Sequence, residues 1–442
     1  MLNKSLRLSN SEFLTEYPRT GSGTLGGRYL RQFWHPVCLS DDLRDVPYPV
    51  RILGEDLVAF RLPDGRTGLV QRICPHRCAS LEYAQVREHG LMCSYHGWAF
   101  NTDGSCTDMP LEPVDTPRTK QVKILAYPTE EWGGAVWCFM GPGEQPRPPL
   151  PRIDILARTD GELVMARGDV RPYNYLNFME NFADMGHIYV MHMLEPGKVP
   201  PELVPYVDTT VDTSWQNIDH KVFETSFGLK CVLVHNTANE DVKYVNTWSL
   251  ALPYFYRFGG IAAGLPPDFT NDRRESGGML RIIDDTHFEM FRFQLIRPGN
   301  FRSTYYPVQS DTSRGLSAGL RGTVELKPYD QREHPAWEGL PPVEDYVLQK
   351  SQGELPDRSK EFLGTSDIGV IQLRRIYRRG MEALLSGENV KVPAVDVNGI
   401  LQTDTFKGLI SQQDLEVGPG NMPSSEDGRG LIRDGSGNLV FA

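Results

Sequence analysis

The sequence predicts an α+β chain of two domains: an all-β domain over residues 1–145 and a domain of mixed strands and helices over 146–442. Three observations carry that prediction. Short β-like runs separated by turn residues fill roughly residues 30–140, a segment no regular element can cross follows, and helical periodicity appears beyond it. Residues 58–62 and 68–70 flank Pro63-Asp64-Gly65, the pattern of a hairpin. Residues 90–92, 98–104 and 134–140 repeat the strand-and-turn pattern. Gly141-Pro-Gly-Glu-Gln-Pro-Arg-Pro-Pro-Leu-Pro151 then stops every element, because proline removes the backbone donor and fixes φ. After it, residues 175–192 read as a helix, with Phe178, Phe182 and Met185 at three- and four-residue steps. Strands are expected at 231–235, 248–252 and 287–296, and helices between 343 and 385. The Gly-, Ser-, Pro- and Asp-rich stretch from Gly418 reads as a tail or a strap on the surface.

The 442 residues carry 46 basic and 57 acidic side chains, a formal net charge of −11. Nucleic acid or an anionic membrane as main partner would demand a basic footprint, which is missing. No stretch reaches the ~20 apolar residues of a membrane helix. The first ten residues lack the apolar core and cleavage site of a signal peptide. Seven cysteines are too few for a disulfide scaffold at this length. The expectation is a cytoplasmic protein whose cysteines are ligands or core side chains, Cys38, Cys138 and Cys231 among the latter. His35, His89, His220, His235, His287 and His334 lack ligand spacing.

Cys74-Pro-His76 and Cys93-Ser-Tyr-His96 are the most informative residues of the β domain. Sixteen residues separate His76 from Cys93, enough to place the two pairs on the tips of adjacent hairpins. Each loop offers one thiolate and one imidazole. Zinc accepts the same four ligands, but mixed zinc sites usually pair both cysteines on one knuckle and both histidines on a helix. The alternating order suits a [2Fe–2S] cluster in which two thiolates hold one iron and two imidazoles the other.

The second set lies in Glu180-Asn-Phe-Ala-Asp184-Met-Gly-His187-Ile-Tyr-Val-Met-His192. Asp184 and His187 share a helix face, whereas His187 and His192 are about 140° apart on an ideal helix. Both reach one metal only if the helix ends or bulges between them, as π-type distortions do. Two histidines with a distant carboxylate make the ligand set of non-haem Fe(II) oxygenases. Gly21-Ser-Gly-Thr-Leu-Gly26 fits a dinucleotide fingerprint, yet no strand precedes it and no βαβ unit surrounds it. It is expected instead to open a short helix over 27–34, which leaves nicotinamide oxidation to another protein.

With these residues in view, the chain resembles the Rieske iron–sulfur family and, in the residues framing the loops, its oxygenase branch. Trp34-His-Pro-Val-Cys-Leu-Ser, Leu53-Gly-Glu-Asp-Leu-Val-Ala-Phe-Arg, Tyr95-His-Gly-Trp, Asp284-Asp-Thr-His and Leu363-Gly-Thr-Ser-Asp resemble the phthalate dioxygenase group. That group consists of α-only enzymes and includes aromatic O-demethylases, which Glu180-Asn-Phe-Ala-Asp resembles more closely than the phthalate enzymes. One departure is Cys78, where the branch usually has glycine. Cys78 and Cys106 both lie near the loops, open either to a disulfide or, favoured in a reducing compartment, to free thiols.

The resemblance implies a Rieske domain followed by a helix-grip catalytic domain, an antiparallel sheet wrapped on a helix. It implies a [2Fe–2S] cluster on Cys74, His76, Cys93 and His96, and a mononuclear Fe(II) on His187, His192 and a carboxylate. Pro342-Val-Glu-Asp345 resembles the segment that carries the carboxylate, with Asp367 as the other candidate or else a helix cap. By the same resemblance Asp184 bridges His187 to His96 of a neighbouring subunit, with Asn181 in the same network. A cyclic homo-oligomer follows, a trimer alone or stacked into hexamers. Electrons come from NAD(P)H through a separate flavin/iron–sulfur reductase, with or without a ferredoxin. The implied reaction is O₂-dependent hydroxylation or O-demethylation of an aromatic, carboxylated compound. Expected pocket residues are Phe178, Met185, Met191 and Trp248 with the strand 287–292, and Arg257, Arg281 or Arg292 as a carboxylate clamp. The alternative, an electron-transfer or binding protein without oxygenase activity, uses the first set of residues and ignores the second.

Overall fold

The computed structural model describes residues 7–113, 116–143, 147–188, 191, 218–236, 240–259, 275–296, 341–403, 405, 407–411, 431–433 and 439–441. The chain forms two compact units. The first is Met1–Arg152 with Leu280–Glu289 and Gly380–Val392; the second is Ile153–Met279 with Met290–Arg379 and Pro393–Ala442. No helix among the described residues is long and apolar enough to cross a membrane.

In the first unit, helix α1 (Asn10–Glu16) begins at Ser9, whose hydroxyl and the Glu12 carboxylate cap each other's backbone N–H. Helix α2 (Leu25–Leu30) begins at Thr24. A Cβ on Gly26 would stand 2.2 Å from the Glu16 carbonyl oxygen. Of the fingerprint-like glycines, Gly26 therefore admits a close backbone approach between α2 and the end of α1.

The strands are β1 (Trp34–Leu39), β2 (Tyr48–Ile52), β3 (Glu55–Arg61), β4 (Thr67–Gln71), β5 (Gln85–Arg87), β6 (Gly90–Met92), β7 (Ala99–Phe100), β8 (Cys106–Asp108), β9 (Ala126–Tyr127), β10 (Thr129–Trp132) and β11 (Ala135–Phe139). They assemble as β1-β11-β10, β2-β3-β4-β9 and β5-β6-β7-β8. The expected hairpin is β3–β4, closed where Gly65 N–H donates to the Leu62 carbonyl at 2.9 Å. Alternation puts Val58, Phe60, Val70, Leu91 and Phe100 inward, and Cys74 and Cys93 lie buried in the same apolar cluster.

Among the described residues, the second unit is built on a ten-stranded sheet. Its members include β13 (Glu162–Arg171), β14 (Ile218–Glu224), β15 (Gly228–Asn236), β16 (Val242–Ala251), β17 (Phe255–Gly259), β18 (Glu275–Asp284) and β19 (His287–Ile296), following the short β12 (Arg152–Ile153). β14, β15, β16, β17 and β18 pair antiparallel in chain order, with β19 and then β13 beyond β18. Helix α3 (Arg118–Gln121) belongs to the first unit; α4 (Tyr175–Ala183), α5 (Pro341–Ser351) and α6 (Ile368–Leu385) follow. The α6 side chain Tyr377 reaches the sheet end, its hydroxyl donating to the Pro253 carbonyl at 3.2 Å.

Two expectations need correction. The helix expected over 175–192 stops at Ala183, because Asp184 turns extended at φ −80° and ψ 105°. The chain is helical again at Gly186 and His187, and Ile188 and Met191 take the π-type conformation. The stretch from Gly418 is not only a surface strap: Leu431–Arg433 and Leu439–Phe441 pair as a hairpin, and Leu431 pairs with Leu409 of the strand Lys407–Ser411, which itself adds to β16.

Candidate functional site

Two loops of the first unit share one backbone plan. Cys74 N–H donates to the Ala79 carbonyl (2.9 Å) and Cys78 N–H to the Cys74 carbonyl (3.0 Å); Cys93 N–H donates to Trp98 (2.8 Å) and Gly97 N–H to Cys93 (2.9 Å). The fifth residue of each is left-handed, φ +57° at Cys78 and +78° at Gly97. An L side chain costs roughly 1–2 kcal/mol there. Cys78 is thus the strained member, and glycine is the residue this backbone favours.

The thiols of Cys74 and Cys93 are buried, His76 is exposed and His96 half-buried. The two imidazoles meet edge to face with centroids 4.5 Å apart. Trp98 lies flat on His76 at 4.6 Å and 8°, and Tyr95 leans on His96 at 3.9 Å. Burial pushes the Cys74 thiol up to about 11, and a cation bound there would displace its proton. Two sulfurs inside and two nitrogens outside fit a [2Fe–2S] group better than one tetrahedral zinc. Cys78 and Cys106 are both free thiols.

Substitutions at the fifth position separate these demands. Cys78→Gly is expected to keep the visible spectrum and change stability by less than about 1 kcal/mol, relief of strain being offset by glycine's chain entropy. Gly97→Ala adds a Cβ 2.5 Å from Pro110 Cγ on top of the left-handed strain. It is expected to lose most of the cluster, read as iron and acid-labile sulfide per chain.

In the second unit, the Asn174 side chain caps α4 by accepting from Leu176 N–H at 3.1 Å. At the other end Asp184 N–H donates to the Glu180 carbonyl (2.8 Å), and Gly186 N–H donates to Asp184 Oδ1 (2.9 Å). His187 Nδ1 lies 2.5 Å from the Asp184 carbonyl oxygen. A carbonyl only accepts, so Nδ1 carries the proton and Nε2 is the acceptor nitrogen. Nε2 faces Asp345 Oδ1 at 3.6 Å, and Asn181 Nδ2 donates to that oxygen at 3.0 Å while lying 3.4 Å from Nε2.

A separation of 3.6 Å is too long for a hydrogen bond. Two ligands each about 2.1 Å from a divalent ion stand roughly 3–3.5 Å apart, so the pair suits a shared cation. His192 lies outside the described residues, and among those described no three His, Cys, Asp or Glu side chains converge on one ion. Asp367 is committed elsewhere: its carboxylate accepts from Gly364 N–H at 2.6 Å, the capping role. The geometry favours Asp345.

The clamp expected from Arg257 is corrected. Arg257 is fully buried, one terminal nitrogen donating to Asp154 and the other to Glu275, with Thr403 donating to Asp154 at 2.6 Å. Arg281 is likewise buried, donating to the Val37 carbonyl at 2.6 Å and paired with Glu289. Both are internal counter-ions with no face for a substrate; Arg292 on β19 remains partly exposed. Phe178 and Met185 are buried, Phe178 packing on Phe182 and Tyr256 (centroids 5.1 and 5.0 Å). Trp248 is buried and its indole N–H donates to the Phe182 carbonyl at 2.8 Å, while Met191 is partly exposed.

One cluster escaped the sequence reading. Glu180 is buried and accepts from Arg374 Nε (2.7 Å) and from Arg358 Nε (3.1 Å). Burial alone would raise its carboxyl, but the Arg358 and Arg374 charges outweigh that and hold it below the usual range. No local motif joins positions 178 and 194 residues apart in the chain, so no sequence signal pointed to it.

Comparison with known proteins fits this arrangement. Residues 33–123 match the Rieske [2Fe-2S] domain family. The chain is 31% identical over 97% of its length to the tert-butanol monooxygenase / tert-amyl alcohol desaturase oxygenase subunit of Aquincola tertiaricarbonis, covering 87% of that protein. It is 33% identical over 83% of its length to the phenoxybenzoate dioxygenase subunit alpha of Ectopseudomonas oleovorans, covering 84% of it. The 5,5'-dehydrodivanillate O-demethylase oxygenase subunit of Sphingobium sp. is 31% identical over 90% of the chain and is covered to 88%. The crystal structure of dicamba monooxygenase bound to dicamba superposes with a TM-score of 0.57 at 17% identity, covering 81% of this chain and 99% of that one, a likeness of fold. The chain belongs to the Rieske non-haem iron oxygenases, as an oxygenase α subunit.

Proposed function

We propose that this oxygenase subunit hydroxylates or O-demethylates a carboxylated aromatic compound with O₂. On this reading electrons from NAD(P)H arrive through a separate reductase, and the working unit is a cyclic trimer. Cys74, His76, Cys93 and His96 hold the [2Fe–2S] cluster; His187, His192 and Asp345 hold the mononuclear iron. The carrying observation is His187 Nε2 turned toward Asp345 Oδ1 at 3.6 Å, with Asn181 between them, in a chain that also owns the two Cys–His loops. When bound, the iron supplies O₂ activation.

The chain's own residues supply the rest. The Asp184 carbonyl holds the His187 ring by its Nδ1 proton and makes Nε2 the acceptor nitrogen. Asn181 steadies Asp345, and the rings of Phe178, Phe182 and Tyr256 make an apolar wall beside α4. The Asp184 carboxylate accepts from the His96 imidazole of a neighbouring subunit and couples the two centres. Phenoxybenzoate and dehydrodivanillate in the names of relatives support the aromatic class.

The test is coupled turnover with a surrogate reductase against phthalates, phenoxybenzoates, methoxylated aromatic acids and tertiary alcohols, with products identified by mass. Substrate-dependent O₂ uptake with an oxygenated aromatic acid is expected, with formaldehyde where a methoxyl group is lost. Turnover confined to tertiary alcohols would instead place this chain with the tert-butanol enzyme it resembles.

A further inference from the structure

The buried cluster around Glu180 stands outside the ligand set and touches α4, which leads to His187, and α5, which carries Asp345. Arg358 donates from Nε and its terminal nitrogen to Glu180 and, from the same terminal nitrogen, to Asn177 Oδ1 at 3.1 Å. The Asn177 amide in turn donates to the Gln349 carbonyl at 3.2 Å, one helical turn past Asp345 on α5. Arg374 on α6 donates to Glu180 Oε1 and, through its other nitrogen, to Glu361 at 2.6 Å. On α4 itself the Glu180 carbonyl takes the last helical bond, from Asp184 N–H. The Glu180 side chain therefore ties the last turn of α4, which His187 follows, to Arg358 and Arg374, and through Arg358 and Asn177 to the turn that follows Asp345.

Buried ion clusters are weak devices for stability, since apolar replacements are often as good. They are strong devices for direction, because each charge-assisted bond fixes an angle as well as a distance. Resting on the reading of His187 and Asp345 as ligands of one ion, we propose that Glu180, gripped by Arg358 and Arg374, is a positioning residue that sets the spacing of that pair. A ligand constellation tolerates errors of only about 0.5 Å before its affinity falls, so slack in this clamp should appear first as lost metal.

The experiment keeps the iron–sulfur cluster in place, removes the mononuclear metal by chelation, and titrates Co(II) by calorimetry. Glu180→Gln is expected to weaken Co(II) binding by about 10–100-fold with the cluster's visible spectrum unchanged. Glu275→Gln loosens a second buried ion cluster of the same unit and is expected to lower the melting temperature without changing Co(II) affinity. Arg374→Lys keeps the charge but loses the planar fork. It is expected to weaken binding several-fold, and it decides the matter should Glu180→Gln fail to fold. Parental affinity in Glu180→Gln or, failing that variant, in Arg374→Lys overturns the proposal. So does an equal loss in Glu275→Gln. His187→Ala reports on the underlying site: if it too binds Co(II) normally, the ligand reading itself is wrong.

Discussion

Asp184→Asn is expected to leave the iron–sulfur cluster loaded and reducible while product formation falls by about 100-fold, the upper range for groups that orient metal ligands. Asparagine keeps an Oδ1 able to accept the Gly186 N–H, and the carbonyl that holds His187 Nδ1 is backbone, so the turn after α4 survives. What disappears is the negative charge on a side chain still 30% exposed, the half of the carboxylate available to a second imidazole. Stopped-flow reoxidation of the reduced cluster with substrate and O₂, followed by product analysis, separates the two effects. Product formation within twofold of the parent would remove the bridge from the proposed function.

Arg257→Met is expected to be the most destabilising single change in the second unit. Its guanidinium is fully buried between Asp154 and Glu275. Removing one partner of such a cluster costs about 3–5 kcal/mol, because it strands uncompensated charge. For a unit of this size each kcal/mol lowers the melting temperature by roughly 2–4 °C, so a fall on the order of 10 °C is expected in thermal unfolding. Adding Asp154→Leu and Glu275→Leu should recover much of it, since the apolar triple leaves no stranded charge. A single variant that melts within about 2 °C of the parent would show that this buried charge is dispensable.

The local features of the chain were legible, and the distant ones were not. Hairpin β3–β4 announced itself through Pro63-Asp64-Gly65, and β19 through its alternation over 287–296, because both are decided by neighbours in sequence. The paired Cys–His loops were legible because each ligand pair sits within four residues. Even the oddity at Cys78 was visible as a departure from glycine, though only the backbone angle supplies its meaning. Arg257 misled for the opposite reason: nothing near it in sequence tells that Asp154, Glu275 and Thr403 will surround it. Glu180 was hidden by the same kind of distance. The helical period over 175–192 also gave no warning that Asp184 would break the run, since the break is made by one residue's ψ, not by a change in apolar spacing.

The first unit includes the hairpin tip Leu280–Glu289, where Leu53 and Gly54 N–H donate to the carbonyls of Ile282 and Ile283 at 2.9 and 2.7 Å and Arg19 meets Asp285 at 2.9 Å. The first unit is thus assembled from three separate stretches of the chain. Shuffling a front half between relatives by cutting at a single point would leave two backbone donors and a guanidinium looking for partners that stayed behind. A chimaera that keeps these bonds has to carry the tip and residues 380–392 along with the leading segment.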